Sequence, residues 1–216
     1  YQTAKNEKVR ISNLVMMGIG EPLDNFENSL KMISVINDDF GYMIGARHIS
    51  LSTCGLADRI AQLKAQRPAF TLSLSLHAAD DEKRSRLMPV NKKYGVDTII
   101  KCVKDYANET KRRVCIEYIL IAGVNDGEED VIKLAQLLKG GLFHVNLITA
   151  NFVKETHLKG SDDRTAILFR DKLNRLGITC TIRRKLGKEI SAACGQLRNS
   201  HGKIDERDKD ENIREN

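Results

Sequence analysis

Phe70-Thr71-Leu72-Ser73-Leu74-Ser75-Leu76-His77 is the stretch that decides the fold. Large apolar residues take every second position, small polar ones fill the gaps, and the run closes on a histidine. In an extended chain successive side chains point to opposite faces, so this pattern is a strand with one apolar and one polar face. Runs of similar character lie on both sides. Residues 11–17, 48–52, 114–121, 144–149 and 178–184 read as five more strands. Several end on turn-forming residues: Gly18 after the first, Thr53-Cys54-Gly55 after the second, and Gly123-Val124-Asn125-Asp126-Gly127 after the fourth of the six.

Helical periodicity fills the intervals. Phe26, Leu30, Ile33 and Ile36 follow a three-to-four rhythm. Asp97 is expected to cap a helix that carries Ile100, Val103 and Ala107. Residues 128–139 place Val131, Leu134, Ala135 and Leu138 on one stripe. Ser161-Asp162 precede a helix with Ile167, Leu168 and Leu173 that stops at Gly177. Strand and helix alternate, which predicts βαβ units and a parallel sheet, either open and doubly wound or a full or partial barrel. In each case ligands bind at the carboxyl ends of the strands. The residues expected to matter are therefore Gly18 to Pro22, Ser52 to Gly55, Ser75 to His77, and Asn146 with the segment after it.

Bulk composition narrows the class. A chain of 216 residues with 41% hydrophobic content can bury a core without staples. No apolar run is long enough to cross a bilayer, and no secretory leader is visible, so a cytoplasmic protein is expected. The polar opening stretch, residues 1–10, is expected to be the cut end of something longer. Five widely spaced cysteines, Cys54, Cys102, Cys115, Cys180 and Cys194, argue against a disulfide framework, and none stands at CxxC spacing. Net charge is +6, from 35 Lys+Arg against 29 Asp+Glu, a weak pointer to an anionic partner. The runs Lys111-Arg112-Arg113 and Arg183-Arg184-Lys185 fit phosphate contact or simply a solvated face. Aromatic content of 5% with no Trp gives no stacking platform for single-stranded nucleic acid. Beyond Leu197 the sequence is charged and polar, and residues 198–216 are expected to form a disordered tail. The preceding residues 1–197 are expected to form one core.

Gly18-Ile19-Gly20-Glu21 follows a strand but is not a dinucleotide fingerprint: Leu23 stands near the place of the third glycine, and Pro22 blocks the run into a helix. What remains is a glycine turn that lets a ligand approach the backbone, followed by an acid able to accept from an ammonium. His77 reads equally as a rim histidine or a ligand-binding one. Cys194 sits among small residues, Ala192-Ala193-Cys194-Gly195, which suits either a tight contact or a thiol held close to another molecule.

Taken in order, Gly18-Ile19-Gly20-Glu21-Pro22-Leu23, Leu51-Ser52-Thr53-Cys54-Gly55, Leu74-Ser75-Leu76-His77-Ala78, Met88-Pro89-Val90-Asn91-Lys92-Lys93-Tyr94, Ile116-Glu117-Tyr118, Gly123-Val124-Asn125-Asp126, Val145-Asn146-Leu147-Ile148 and Ala192-Ala193-Cys194-Gly195-Gln196-Leu197 resemble the dual-specificity RNA adenine-C2 methyltransferases (RlmN type) of the radical-SAM superfamily. The C8 methyltransferases (Cfr type) are close relatives. The resemblance covers roughly residues 11–198. It implies an α/β partial (β/α) barrel with parallel strands, lacking its first strand and a small amino-terminal accessory domain.

It also implies S-adenosylmethionine (SAM) as methyl donor, a [4Fe-4S] cluster, 23S rRNA and tRNA as substrates, an electron donor, and a monomer without membrane association. Carbon 2 of adenine is a very poor nucleophile, so the family first moves the methyl to a thiolate and then uses radical chemistry supplied by the cofactors. By resemblance, Cys194 is the methyl-carrying cysteine, and Gly20, Glu21, Ser52, Ser75, Leu76, His77 and Asn146 are SAM contacts. The family's CxxxCxxC cluster run is absent from these 216 residues, so the chain is expected to be a fragment that does not turn over by itself. A C8 methyltransferase and a non-catalytic truncated SAM- or RNA-binding paralogue are the alternatives. Thr149-Ala150-Asn151 departs from the family's Pro-Phe-Asn.

Overall fold

The computed structural model describes residues 6–17, 20–149 and 158–183. Cys194 and the expected tail at 198–216 lie outside the described residues, as do Gly18 and Ile19. The chain divides into two units, Tyr1–Met16 with Glu21–Arg183, and Met17–Gly20 with Arg184–Asn216. Only Met17 and Gly20 of the second are described.

The first unit alternates strand and helix as expected. The strands are β1 (Leu14–Met16), β2 (Ile49–Thr53), β3 (Thr71–Ser75), β4 (Val114–Leu120), β5 (Phe143–Thr149) and β6 (Cys180–Ile182). They form one six-stranded sheet in the order β1-β2-β3-β4-β5-β6, and every pairing is parallel. The helices are α1 (Phe26–Asn37), α2 (Ala57–Ala65), α3 (Asp81–Leu87), α4 (Val96–Thr110), α5 (Glu128–Leu138) and α6 (Asp163–Arg175).

The edge strands are shorter than their apolar runs. β1 pairs only through Leu14, Val15 and Met16, and β6 only through Cys180, Thr181 and Ile182. Just beyond β6 the Thr179 carbonyl and the Arg183 amide still bond β5, each at 2.8 Å. Two helices were not expected, α2 and α3. Ala57, Ile60 and Leu63 give α2 a buried stripe, but α3 is almost wholly charged and carries no apolar stripe. Asp97 is not a cap: Gly95 holds that position, and Asp97 lies in the first turn of α4, where a carboxylate faces the positive helix end. In α6 the buried residues are Ala166, Phe169 and Leu173, while Ile167 and Leu168 are exposed. Asp162 caps that helix by accepting from the Thr165 amide at 2.7 Å. The stripe of α5 is as expected, with Val131, Leu134, Ala135 and Leu138 all buried.

The two faces of the sheet differ sharply. Ile49, Leu51, Leu72, Leu74, Val114, Ile116, Tyr118, Val145 and Leu147 join helix residues such as Phe26, Ile60, Ile99, Leu134 and Phe169 in the core. The opposite face is mostly polar: it carries Ser50, Ser52, Thr71, Ser73, Ser75, Cys115, Glu117, His144, Asn146 and Thr181, with Val15, Ile119 and Ile148 as its apolar members. All-parallel strands usually bury apolar residues on both faces. A polar second face marks this one as a lining for something other than helices.

Candidate active site

Register brings the expected residues into rows across that polar face. Ser52 is level with Ser73 of β3. Ser75 is level with Glu117, and Glu117 with Asn146, so three adjacent strands present a serine, a carboxylate and an amide in line. Asn146 Nδ2 donates to both oxygens of Glu117, at 3.0 and 3.3 Å.

The turns beyond the strands are tied together by side chains. Glu21 accepts from the backbone of Cys54 at 2.7 Å and of Leu23 at 3.0 Å, which fastens the turn after β1 to the end of β2. Gly20 has φ +79°, a conformation that favours glycine. Gly55 has φ +103°, and a Cβ there would press on Ile99 and Leu74 at 3.1–3.3 Å.

Leu76 is fully buried. Its amide donates to Glu117 O at 3.0 Å and its carbonyl accepts from Arg84 Nε at 3.0 Å. The turn then enters the left-handed region at His77, φ +61°. Asn125 Nδ2 donates to the His77 carbonyl at 2.7 Å, and His77 Nδ1 accepts from the Ile119 amide at 3.2 Å. An accepting Nδ1 carries no proton, so the neutral ring presents Nε2–H as a donor. Burial first, and then the Arg84 charge, push the His77 pKa down to about 4, which keeps the ring neutral at pH 7.

Arg84 is the residue that sequence reasoning missed. It lies on α3 with no exposed surface. Nη2 donates to Cys54 O at 2.7 Å and Ser75 O at 3.2 Å, Nε to Leu76 O, and Nη1 to Asn91 Oδ1 at 2.8 Å. One guanidinium thus binds the carboxyl ends of β2 and β3. Asn91 passes the link on to Asp81 Oδ1 at 2.9 Å, which also accepts the Val96 amide at 2.7 Å. Those two bonds, the Val96 amide first, hold the Asp81 carboxyl below the usual range. Asn125 is a second such clamp: fully buried, it also bonds Ile119 O and Ile121 N. Asn91, Glu117 and Asn125 fall inside motif runs, yet nothing in the sequence gives them a task. Arg84 belongs to the charged run Asp80-Asp81-Glu82-Lys83-Arg84, which has no apolar period to mark a buried side.

Burial, with Glu21 as the further cause at Cys54 and Glu117 at Cys115, pushes both thiols up to about 12. Neither is a thiolate at pH 7. Lys111-Arg112-Arg113 lies at the amino end of β4, the opposite edge of the sheet from these turns.

A parallel α/β sheet with a polar lining and clamped turns at its carboxyl edge is an architecture for binding a small cofactor there. The profile of the Radical SAM superfamily matches residues 1–135, and the chain belongs to that superfamily. It has relatives named as probable dual-specificity RNA methyltransferase RlmN. One from Clostridium botulinum (strain Eklund 17B / Type B) is 49% identical over 197 residues, covering 91% of this chain and 57% of the relative. One from Thermoanaerobacter sp. (strain X514) is 45% identical over 192 residues, 89% of this chain and 56% of the relative. A crystal structure of a radical SAM methyltransferase from Sphaerobacter thermophilus superposes with TM-score 0.86 at 39% identity, over 90% of this chain and 57% of that one. The chain therefore spans little more than half the length of these proteins. The six-stranded parallel sheet is that of the radical-SAM partial barrel. No helix among the described residues is long and apolar enough to cross a membrane.

Proposed function

We propose that this chain is part of a radical-SAM enzyme that transfers a methyl group from SAM to C2 of adenosine in 23S rRNA and in tRNA, by way of Cys194. The observation that carries the reading is the row Ser75, Glu117, Asn146 across the polar face, with Glu21 and His77 fixed in the turns at the carboxyl ends of β1 and β3. The row offers carboxylate, amide and hydroxyl groups to the hydroxyls and ammonium of SAM, and His77 adds a neutral N–H donor. Relatives at 45–49% identity named as RNA methyltransferases support RNA as the substrate.

Within this reading Gly20 and Glu21 form the turn that approaches the aminoacyl end of SAM, and Ser52, Ser75, His77 and Asn146 line its length. Leu76 contributes through position, since its side chain lies in the core. The Cys194 thiolate attacks the SAM methyl: a sulfur–carbon bond forms, the sulfonium–methyl bond breaks, and S-adenosylhomocysteine leaves.

The superfamily implies a [4Fe-4S] cluster. The described residues hold no group of three or more His, Cys, Asp or Glu side chains fit for a metal, and the 216 residues contain no CxxxCxxC run. They do not fit the cluster. Residues 1–197 make one core in this reading. Peptide mass spectrometry of the enzyme isolated from cells tests the assignment. A methyl group on the Cys194 peptide, with RNA methylation lost in Cys194→Ala, is expected; undiminished methylation in that variant refutes it.

A further inference from the structure

Glu117 occupies the middle of the polar face and is only 4% exposed. Among the described residues no Lys, Arg or His forms a salt bridge with it. Burying a carboxylate without a cation is costly, so its neighbours must offset that cost through hydrogen bonds. The principal one is Asn146, whose Nδ2 meets both carboxylate oxygens. The Cys115 thiol approaches Oε1 at 3.5 Å. A carboxylate only accepts, so chemistry decides which way the amide faces. Its NH2 must turn toward Glu117, and its oxygen must turn away. Among the described residues nothing donates to that oxygen.

We propose that Glu117 is a positioning residue that locks the Asn146 amide oxygen-outward, so that Asn146 offers the ligand an acceptor and selects a hydrogen-bond-donating group of SAM, a ribose hydroxyl or its ammonium. The inference rests on the reading of Asn146 as a SAM contact. An unlocked asparagine can present either end of its amide. The locked one is pre-organised for a donor and repels a ligand acceptor at the same place.

Calorimetric titration of S-adenosylhomocysteine into the whole chain tests this without turnover. Four proteins are compared: wild type, Glu117→Met, Asn146→Asp, and the double variant Glu117→Gln with Asn146→Asp. Glu117→Met removes the lock and is expected to bind about tenfold more weakly, the effect of one charge-assisted hydrogen bond. Asn146→Asp sets two carboxylates against each other and is expected to lose a similar factor. The double variant exchanges the two groups. The new amide on β4 donates to the new carboxylate on β5, whose second oxygen again faces the ligand. Affinity there is expected to return to within about threefold of wild type, a coupling that contact between the two side chains requires.

A purely structural role for Glu117 predicts that affinity falls and recovers in step with the urea unfolding midpoint of the same four proteins, whereas the lock predicts an affinity loss in Glu117→Met at an unfolding midpoint that leaves the protein folded under the titration conditions. Failure of the double variant to recover, or wild-type affinity in Glu117→Met, overturns the proposal. Failure of the wild type to bind overturns the reading of the site and this inference with it, and is a separate result. With the dideoxyribose analogue, a Glu117→Met loss that vanishes assigns the donor to the ribose, and one that persists assigns it to the ammonium. Both support the lock.

Discussion

Replacing Arg84 by Met should cost more than any other single substitution near the site. The side chain is fully buried and donates to three backbone carbonyls and one amide, at 2.7–3.2 Å. Methionine keeps most of the apolar stem but leaves the carbonyls of Cys54, Ser75 and Leu76 without that donor. Each charge-assisted bond is worth about 1.5–3 kcal/mol alone, but bonds from one group are not additive. Breaking a buried charged network by removing one partner costs about 3–5 kcal/mol, so about 4 kcal/mol is expected. Against a total stability of about 5–15 kcal/mol this is a large share. Urea unfolding followed by far-ultraviolet circular dichroism should show the midpoint falling by about 2 M, taking a slope of about 2 kcal/mol/M. Arg84→Lys should recover only part of it, because an ammonium cannot reproduce the planar fork. A fall of less than about 0.5 M in the methionine variant would refute the reasoning, since a clamp on the two strand ends cannot be so cheap to remove.

Three further outcomes are expected. His77 has a folded pKa of about 4 against an ordinary 6.5, so its contribution to stability is present above pH 6.5 and is lost as pH falls from 6.5 toward 4. A nuclear magnetic resonance titration should find the ring still neutral at about pH 5.5, whereas titration near the ordinary value of about 6.5 would contradict the burial argument. Asn125→Ala removes the bonds to His77 O, Ile119 O and Ile121 N and should lower stability by about 2–3 kcal/mol in the same urea assay, with a loss below about 1 kcal/mol counting against its role. Cys54, Cys115 and Cys180, all pushed up to about 12 by burial, should react slowly with a thiol reagent at about pH 8 until the chain is unfolded, and fast native labelling at any of them would contradict the packing.

The sheet was legible because alternation is a period-two signal that parallel pairing preserves. Residues 70–76 showed both their faces in the sequence and β3 follows them closely, while 144–149 was legible as a strand although Ile148 and Thr149 break its alternation. Edge strands were legible only as apolar runs. The helix α3 was hidden because what it buries is a guanidinium. An arginine that serves backbone carbonyls leaves no apolar period behind it. The row of Ser75, Glu117 and Asn146 became visible only with register, because residues so far apart in the chain meet through strand pairing alone. Glu21 showed the same limit: its acid character was legible, but its bonds to Cys54 and Leu23 depend on the turn.

The polar carboxyl edge is proposed to serve methyl transfer from SAM to C2 of adenosine in RNA. Nucleoside analysis by mass spectrometry, after incubating RNA with the enzyme, SAM carrying a deuterated methyl group and a reductant, tests this most directly. Labelled 2-methyladenosine that disappears in Cys194→Ala is the predicted result. Labelled 8-methyladenosine in its place, or no labelled adenosine at all, would contradict it.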